Sequence, residues 1–291
     1  MTLDHSQLCT LATQARRDAL TMIYRAGSGH PGGSLSAIDL LTWLYFRQMN
    51  FDANNPADPQ RDRFILSKGH ACPALYAVAA LAKLLPRTDL ASFRKINGRL
   101  QGHPHVGTTA FAETSTGSLG QGFSVAIGIA LGLRQQKIEA NTYVMLGDGE
   151  LQEGEVWEGA MFCAHHRVHR LCAILDYNKM QSDDTNANIM GLEPLADKWR
   201  AFGWHVLEID GHDYAAIEQA FRDYKLNKFK PTLILAHTLK GRGVSYMEGF
   251  PSWHGSVKMS DDDLTRALAD LDLAAHEMPA YLDGSTWEVA P

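Results

Sequence analysis

With 291 residues, 45% of them hydrophobic, the chain can bury a full core, as one large α/β domain or as two small ones. Its net charge of -6, from 27 basic and 33 acidic residues without long blocks, excludes a nucleic-acid-binding arm and a polybasic membrane patch. Cys9, Cys72, Cys163 and Cys172 are scattered and form neither a C-x-x-C pair nor the spacing of a zinc site or disulfide framework.

The polar start, Met1 to Cys9, lacks the basic flank and apolar core of a signal peptide, so the expected setting is cytoplasmic. Helical periodicity then predicts helices over Gln7–Ala26, Ser36–Met49, Ala71–Leu85, Leu119–Ile138, Glu153–His165 and Pro194–Phe202. The apolar stretch Gly117–Leu133 is short for a bilayer span and broken by glycines, Gln121 and two serines. Its small residues Ser124, Gly128 and Gly132, at four-residue steps, instead make a flat stripe suited to a core or a subunit interface. Strand-like apolar runs come between the helices, at Thr142–Asp148, Leu171–Asn178, His205–Gly211 and Pro231–Thr238. Such strands separated by helices indicate an α/β fold with a mainly parallel sheet covered on both faces. From about residue 256 an acidic tail follows, with Ser260 placed to cap a helix. No linker divides residues 1–291, so a single domain is expected.

In a parallel sheet ligands sit beyond the carboxyl ends of the strands. That singles out Gly147-Asp148-Gly149, Asn178-Lys179-Met180, Gly211-His212 and Lys240-Gly241-Arg242. Two neighbouring strand ends would bring the Asp148 carboxylate and the Asn178 amide oxygen together, hard donors of the kind Mg²⁺ or Ca²⁺ takes alongside phosphate oxygens. Glycine amides and a helix start nearby favour a diphosphate. Taken alone, the same residues also read as a helix cap and a turn.

The segment GDGELQEGEVWEGAMFCAHHRVHRLCAILDYNKM resembles the thiamine diphosphate signature, and its G-D-G-x-L-Q-E-G form is similar to transketolases in particular. GSGHPGGSLSAIDLL, RFILSKGHACPALYA, GHPHVGT, STGSLGQGFSVAIGIALG and the final WHG follow in that family's order, over about the first 255 residues. The resemblance implies the thiamine diphosphate-binding fold, in the half that holds the diphosphate. It implies Asp148, Asn178 and the Met180 carbonyl as ligands of Mg²⁺ (or Ca²⁺ or Mn²⁺), and the Gly149 amide as a diphosphate donor. His70 and His254 would contact the diphosphate, and Gly117 and Leu119 would lie against the thiazolium region. His30 and His103 would face the sugar's reacting carbonyl and C1 hydroxyl, with His254 close by. Glu153 would link two cofactor sites near a subunit interface, with weaker claims for Glu155 and Glu158. His105 stands where many long transketolases carry an acid, which leaves its bearing on substrate choice open.

Imidazoles suit this chemistry, since they donate to a developing alkoxide and shuttle protons near neutral pH. Most histidines of a soluble protein have no such task, and His165, His166 and His169 are read as surface residues at a helix end. The implied enzyme is a split transketolase, passing a two-carbon ketol unit from a ketose to an aldose. This chain would be its N-terminal subunit, joined by a separate C-terminal subunit in a symmetric heterotetramer that completes the pyrimidine site. A deoxyxylulose-phosphate synthase or 2-oxo-acid dehydrogenase subunit would share G-D-G and Asn178 but not the four histidines. A non-catalytic cofactor-binding subunit would need none of them.

Overall fold

A computed structural model describes residues 3–288 of the chain; the outermost bounds of the expected domain, residues 1–2 and 289–291, lie outside the described residues. Five strands, β1 (Arg63–Leu66), β2 (Thr142–Gly147), β3 (Leu171–Tyr177), β4 (His205–Asp210) and β5 (Thr232–His237), form one sheet in the order β1-β2-β3-β5-β4. Every neighbouring pair is parallel, so each connection must cross over, and helices make the crossings. Ahead of β1 come α1 (His5–Ala26) and α2 (Pro31–Trp43); the crossings contain α3 (Cys72–Leu81), α4 (Gln121–Gln135), α5 (Gly154–His165), the single turn α6 (Asn186–Ile189), α7 (Leu195–Ala201) and α8 (Tyr214–Leu226). Two more, α9 (Asp261–Asp270) and α10 (Met278–Asp283), follow the sheet.

Alternate side chains of a strand point to opposite faces. Tyr143, Met145, Cys172 and Ile174 therefore join one core cluster, under α1, α2, α3 and α8. Val144, Leu146, Ala173 and Leu175 join the other, under α4, α5 and α7. Strands apolar on both faces show the unbroken runs from which the parallel sheet was expected. No helix among the described residues is long and apolar enough to cross a membrane.

Several boundaries differ from the sequence expectation. α2 begins at Pro31 rather than Ser36, because proline is already set for a first helical turn and every residue of the helix is buried, which erases any amphipathic signal. It closes in one π-turn, Leu44–Gln48. α4 begins at Gln121 rather than Leu119, since Gly120 stands at φ +87°, outside helical space. α3 stops at Leu81, not Leu85, and Lys83 turns to φ +63°. Between Asp148 and α5 lies a short 3₁₀ turn, Gly149–Gln152, so the α-helix starts only at Gly154. The strand β1, the helix α8 and the short helices α6 and α10 go beyond the sequence expectation. The acidic tail is packed structure rather than an appendage: Ser260 caps α9 through a capping box with Asp263, and Leu264, Leu268, Tyr281 and Trp287 are buried.

Candidate active site

The carboxyl ends of β1, β2, β3 and β5 open into one cavity of about 280 Å³, walled also by the start of α2 and by the turn before α9. Its floor is made of paired charges. Asp176, the penultimate residue of β3, is fully buried. It accepts from Lys68 just beyond β1, from Ser36 of α2 at 2.6 Å, and from Thr238 just beyond β5. Burial opposes ionisation of Asp176, yet the Lys68 ammonium and these donors hold its pKa below the usual carboxylate range. Lys68 also donates to the Gly33 carbonyl at 3.0 Å. One carboxylate thus ties together three strand ends and a helix.

Asp148 follows β2 beside this pair. Register places Gly147 opposite Asp176 on the adjacent strand, so Asp148 and Asn178 leave neighbouring strand ends, as expected. Asp148 accepts from its own neighbour Gly149 N at 2.9 Å and from Asn186 Nδ2 at 2.9 Å, so it serves as a cap as well as a candidate ligand. Burial, then repulsion from Asp176, pushes its pKa up to about 6. Asn178 Oδ1 accepts from Met180 N at 3.2 Å across Lys179, which stands at φ +66°. That turn aims the residues after β3 into the cavity. Glu150, buried nearby, accepts from Ser67 and from the amides of Gly120 and Gly147, and so fixes the start of α4 against β1 and β2.

The opposite wall carries imidazoles. His30 is 5.2 Å from His70 and 5.8 Å from His254, centroid to centroid, and His70 is 5.3 Å from His254. His103 borders the same cavity. Burial lowers the pKa of all four, to about 4 for His30, to about 3 for His254 and well below the ordinary value for His70. Neighbouring cations, Arg94 for His30 and His103 and Lys240 for His254, add to the effect. Gly255 permits this crowding, since a Cβ there would collide with the His30 ring. Gly117, at φ +147°, likewise leaves no room for a side chain beside His103. Among the described residues, buried His30 Nδ1 and Gln181 Nε2 have no hydrogen-bond partner.

Ten of the residues singled out in the sequence meet here: His30, His70, His103, His254, Gly117, Leu119, Asp148, Gly149, Asn178 and Met180 all line the cavity. Glu153 does not; it is exposed before α5, against Gly120. His105 is exposed outside the lining, and His165 and His166 are exposed at the end of α5. Lys68 and Gln181, which the sequence reading passed over, also line the cavity, as does Lys240, which the strand-end rule singled out without a role. Lys240 is buried and donates to Gln181 O at 2.8 Å and to His254 Nδ1 at 2.7 Å. The available signal was position, because Lys68 and Lys240 each stand two or three residues past a strand end.

A parallel sheet whose strand ends gather an acid, an amide, glycines and imidazoles defines a cofactor-binding α/β domain. Residues 9–279 match the family described as transketolase, thiamine diphosphate binding domain. The chain is 44% identical over 261 residues to the 6-deoxy-6-sulfo-D-fructose transketolase subunit of Clostridium sp. (strain MSTE9), covering 90% of this chain and 94% of that one. It is 38% identical over 258 residues to an apulose-4-phosphate transketolase subunit of Phocaeicola vulgatus, covering 88% and 92%. Among solved structures, the transketolase of Campylobacter jejuni superposes with a TM-score of 0.87 at 27% identity, over 98% of this chain and 48% of that one. This chain belongs to the transketolase family. Its similarity over nearly the whole length of separate subunits makes it an N-terminal subunit of the split type.

Proposed function

We propose that this chain supplies the metal, diphosphate and sugar-facing half of a transketolase active site, and that a separate C-terminal subunit supplies the rest. The observation that carries the reading is the convergence of Asp148, Asn178, Met180 and the four imidazoles on one cavity.

The residues fit the group. Among the described residues no cluster of three His, Cys, Asp or Glu side chains could hold a metal. One carboxylate with an amide and a carbonyl oxygen is a set of hard oxygen donors of the kind Mg²⁺ takes, and that ion completes its shell with phosphate oxygens and water. A carboxyl whose pKa burial raises gains from such a cation, and His30 Nδ1 and Gln181 Nε2 lack partners among the described residues. Bound thiamine diphosphate would supply cleavage of a ketose beside its carbonyl and transfer of the two-carbon piece to an aldose. Asp148, Asn178 and Met180 hold the metal in this reading, and the Gly149 amide turns to the diphosphate. His70 and His254 face the phosphates, and Gly117 and Leu119 pack against the cofactor. His30 and His103, kept neutral by burial, donate a hydrogen bond to the sugar oxygen that gains charge and accept, at a lone-pair ring nitrogen, the proton that a sugar hydroxyl loses. Glu153, exposed on the isolated chain, takes its part across a subunit interface. Relatives named for a sulfonated ketose and for a phosphorylated sugar point to an anionic ketose as donor.

The test is reconstitution. Purified alone, the chain should transfer no ketol unit; mixed with its cognate C-terminal subunit, thiamine diphosphate and Mg²⁺, it should gain activity in a complex with two copies of each chain. Transfer by the isolated chain, absent in an Asp148→Ala control, would overturn the need for a partner.

A further inference from the structure

Behind the cavity, on the side of the β4 edge, lies a buried polar chain that touches neither the metal donors nor the imidazole wall directly. His212, two residues beyond β4, places Nδ1 2.6 Å from Asp39 Oδ2. Asp39 belongs to α2 and pairs with Arg16 of α1, and the side chains of Arg16, Asp39 and His212 are 7%, 9% and 11% exposed. On its other side, His212 Nε2 lies 2.9 Å from the backbone N of Leu239.

These contacts fix the ring's state. A backbone N–H can only donate, so Nε2 must offer its lone pair, and the proton must sit on Nδ1, facing a carboxylate. His212 is therefore a neutral ring with its hydrogen on Nδ1. Leu239 stands between two pinned neighbours, Thr238, which donates to Asp176, and Lys240, which donates to Gln181 O and His254 Nδ1. The segment after β5 is thus held at three successive residues, and the middle hold comes from His212. The Lys240 stem is buried and packed against Gly32, so it has little freedom to compensate, and a shift of its Cα carries the ammonium with it.

We propose that His212 is a positioning residue. Through the Leu239 amide it sets the backbone that aims Lys240 at the cavity, and so tunes binding of the diphosphate end of the cofactor without touching it. The proposal rests on the reading that this cavity holds the diphosphate. Glutamine carries a carbonyl acceptor and an amide donor spaced like the two imidazole nitrogens, whereas leucine carries neither.

The experiment measures the dissociation constant of thiamine diphosphate at fixed Mg²⁺ by calorimetry, in the complex with the C-terminal subunit, for wild type, His212→Leu and His212→Gln. Nitrogen-15 spectra of the wild-type imidazole are recorded in parallel. The expected result is a loss of roughly ten-fold for His212→Leu, near-complete rescue in His212→Gln, and a neutral ring protonated on Nδ1. Equal losses in both variants, no loss in His212→Leu, or a proton on Nε2 would overturn the proposal. Absence of binding by the wild type would instead overturn the cofactor reading. The ring's protonation state is read from the wild type, so it is measured even if a variant fails to fold.

Discussion

At the floor of the cavity Asp176 is satisfied by Lys68, Ser36 and Thr238, whereas across from it the imidazoles stand close together at low pKa, with His30 Nδ1 unpartnered. The floor is buried and the four imidazoles are half-buried at the cavity's surface. The floor closes its hydrogen bonds within the chain and holds strand ends in place. The wall keeps hydrogen-bonding capacity unused, and Asp148 sits where the two meet, buried, with a carboxyl that resists ionisation. A region complete in itself serves position, and one left incomplete serves a ligand. This division can be broken from either side.

The largest effect is expected at the floor. Lys68→Met leaves Asp176 charged and buried without its cation, which should cost about 3–5 kcal/mol, measured by chemical denaturation of the isolated chain. At the junction the sign reverses. Asp148 has a folded pKa of about 6, raised from 3.8. Its burial therefore costs nothing below the unfolded value, and the cost, about 3 kcal/mol by linkage, develops as pH rises from about 4 to about 6. Asp148→Asn should remove that pH dependence in metal-free protein while abolishing metal-assisted cofactor binding. A more stable, less functional variant is the signature of a site built for a cation.

Smaller effects separate members of the wall. His30→Ala and His103→Ala should lower turnover with ketose donors and leave cofactor affinity nearly intact, whereas His70→Ala and His254→Ala should also weaken the cofactor; uniform behaviour would dissolve the division of roles. His30 and His254, with pKa about 4 and about 3 against 6.5, should show no imidazole titration by NMR between about pH 5 and 8. Their contribution to stability is intact above the unfolded pKa of about 6.5 and is lost as pH falls from there through the folded values. The smallest effect belongs to Glu153. Being exposed, its change to Gln should move the isolated chain's stability by less than about 0.5 kcal/mol, with any loss of activity confined to the assembled enzyme.

Much of this was legible in the sequence, for identifiable reasons. Of the four strands read from the sequence, β2, β3 and β5 are buried on both faces and showed as unbroken apolar runs, while β4 is a half-exposed edge strand; the strand-end rule led from them to Asp148 and Asn178. β1 escaped because Arg63–Leu66 is only 4 residues long and runs straight into Ser67-Lys68. α8 carried a readable signal in Asp213, which accepts from Ala215 N at 2.9 Å, and in the spacing of Tyr214, Ile217, Phe221 and Tyr224, so its omission is a failure of reading rather than of the sequence. The ion pair of Lys68 with Asp176 joins residues 108 positions apart, and no local pattern could announce it. The exposed placement of Glu153 was equally hidden, because a position after G-D-G does not say which way a side chain leaves a 3₁₀ turn.

The most direct test of the central claim is titration of thiamine diphosphate into the complex with the C-terminal subunit, at matched Mg²⁺, for wild type and Asp148→Ala. Tight, Mg²⁺-dependent binding by the wild type and a loss of at least about ten-fold in the variant are expected. Equal affinity in the two proteins, or wild-type binding indifferent to Mg²⁺, would contradict the assignment of Asp148 and the strand ends beside it as the metal and diphosphate site.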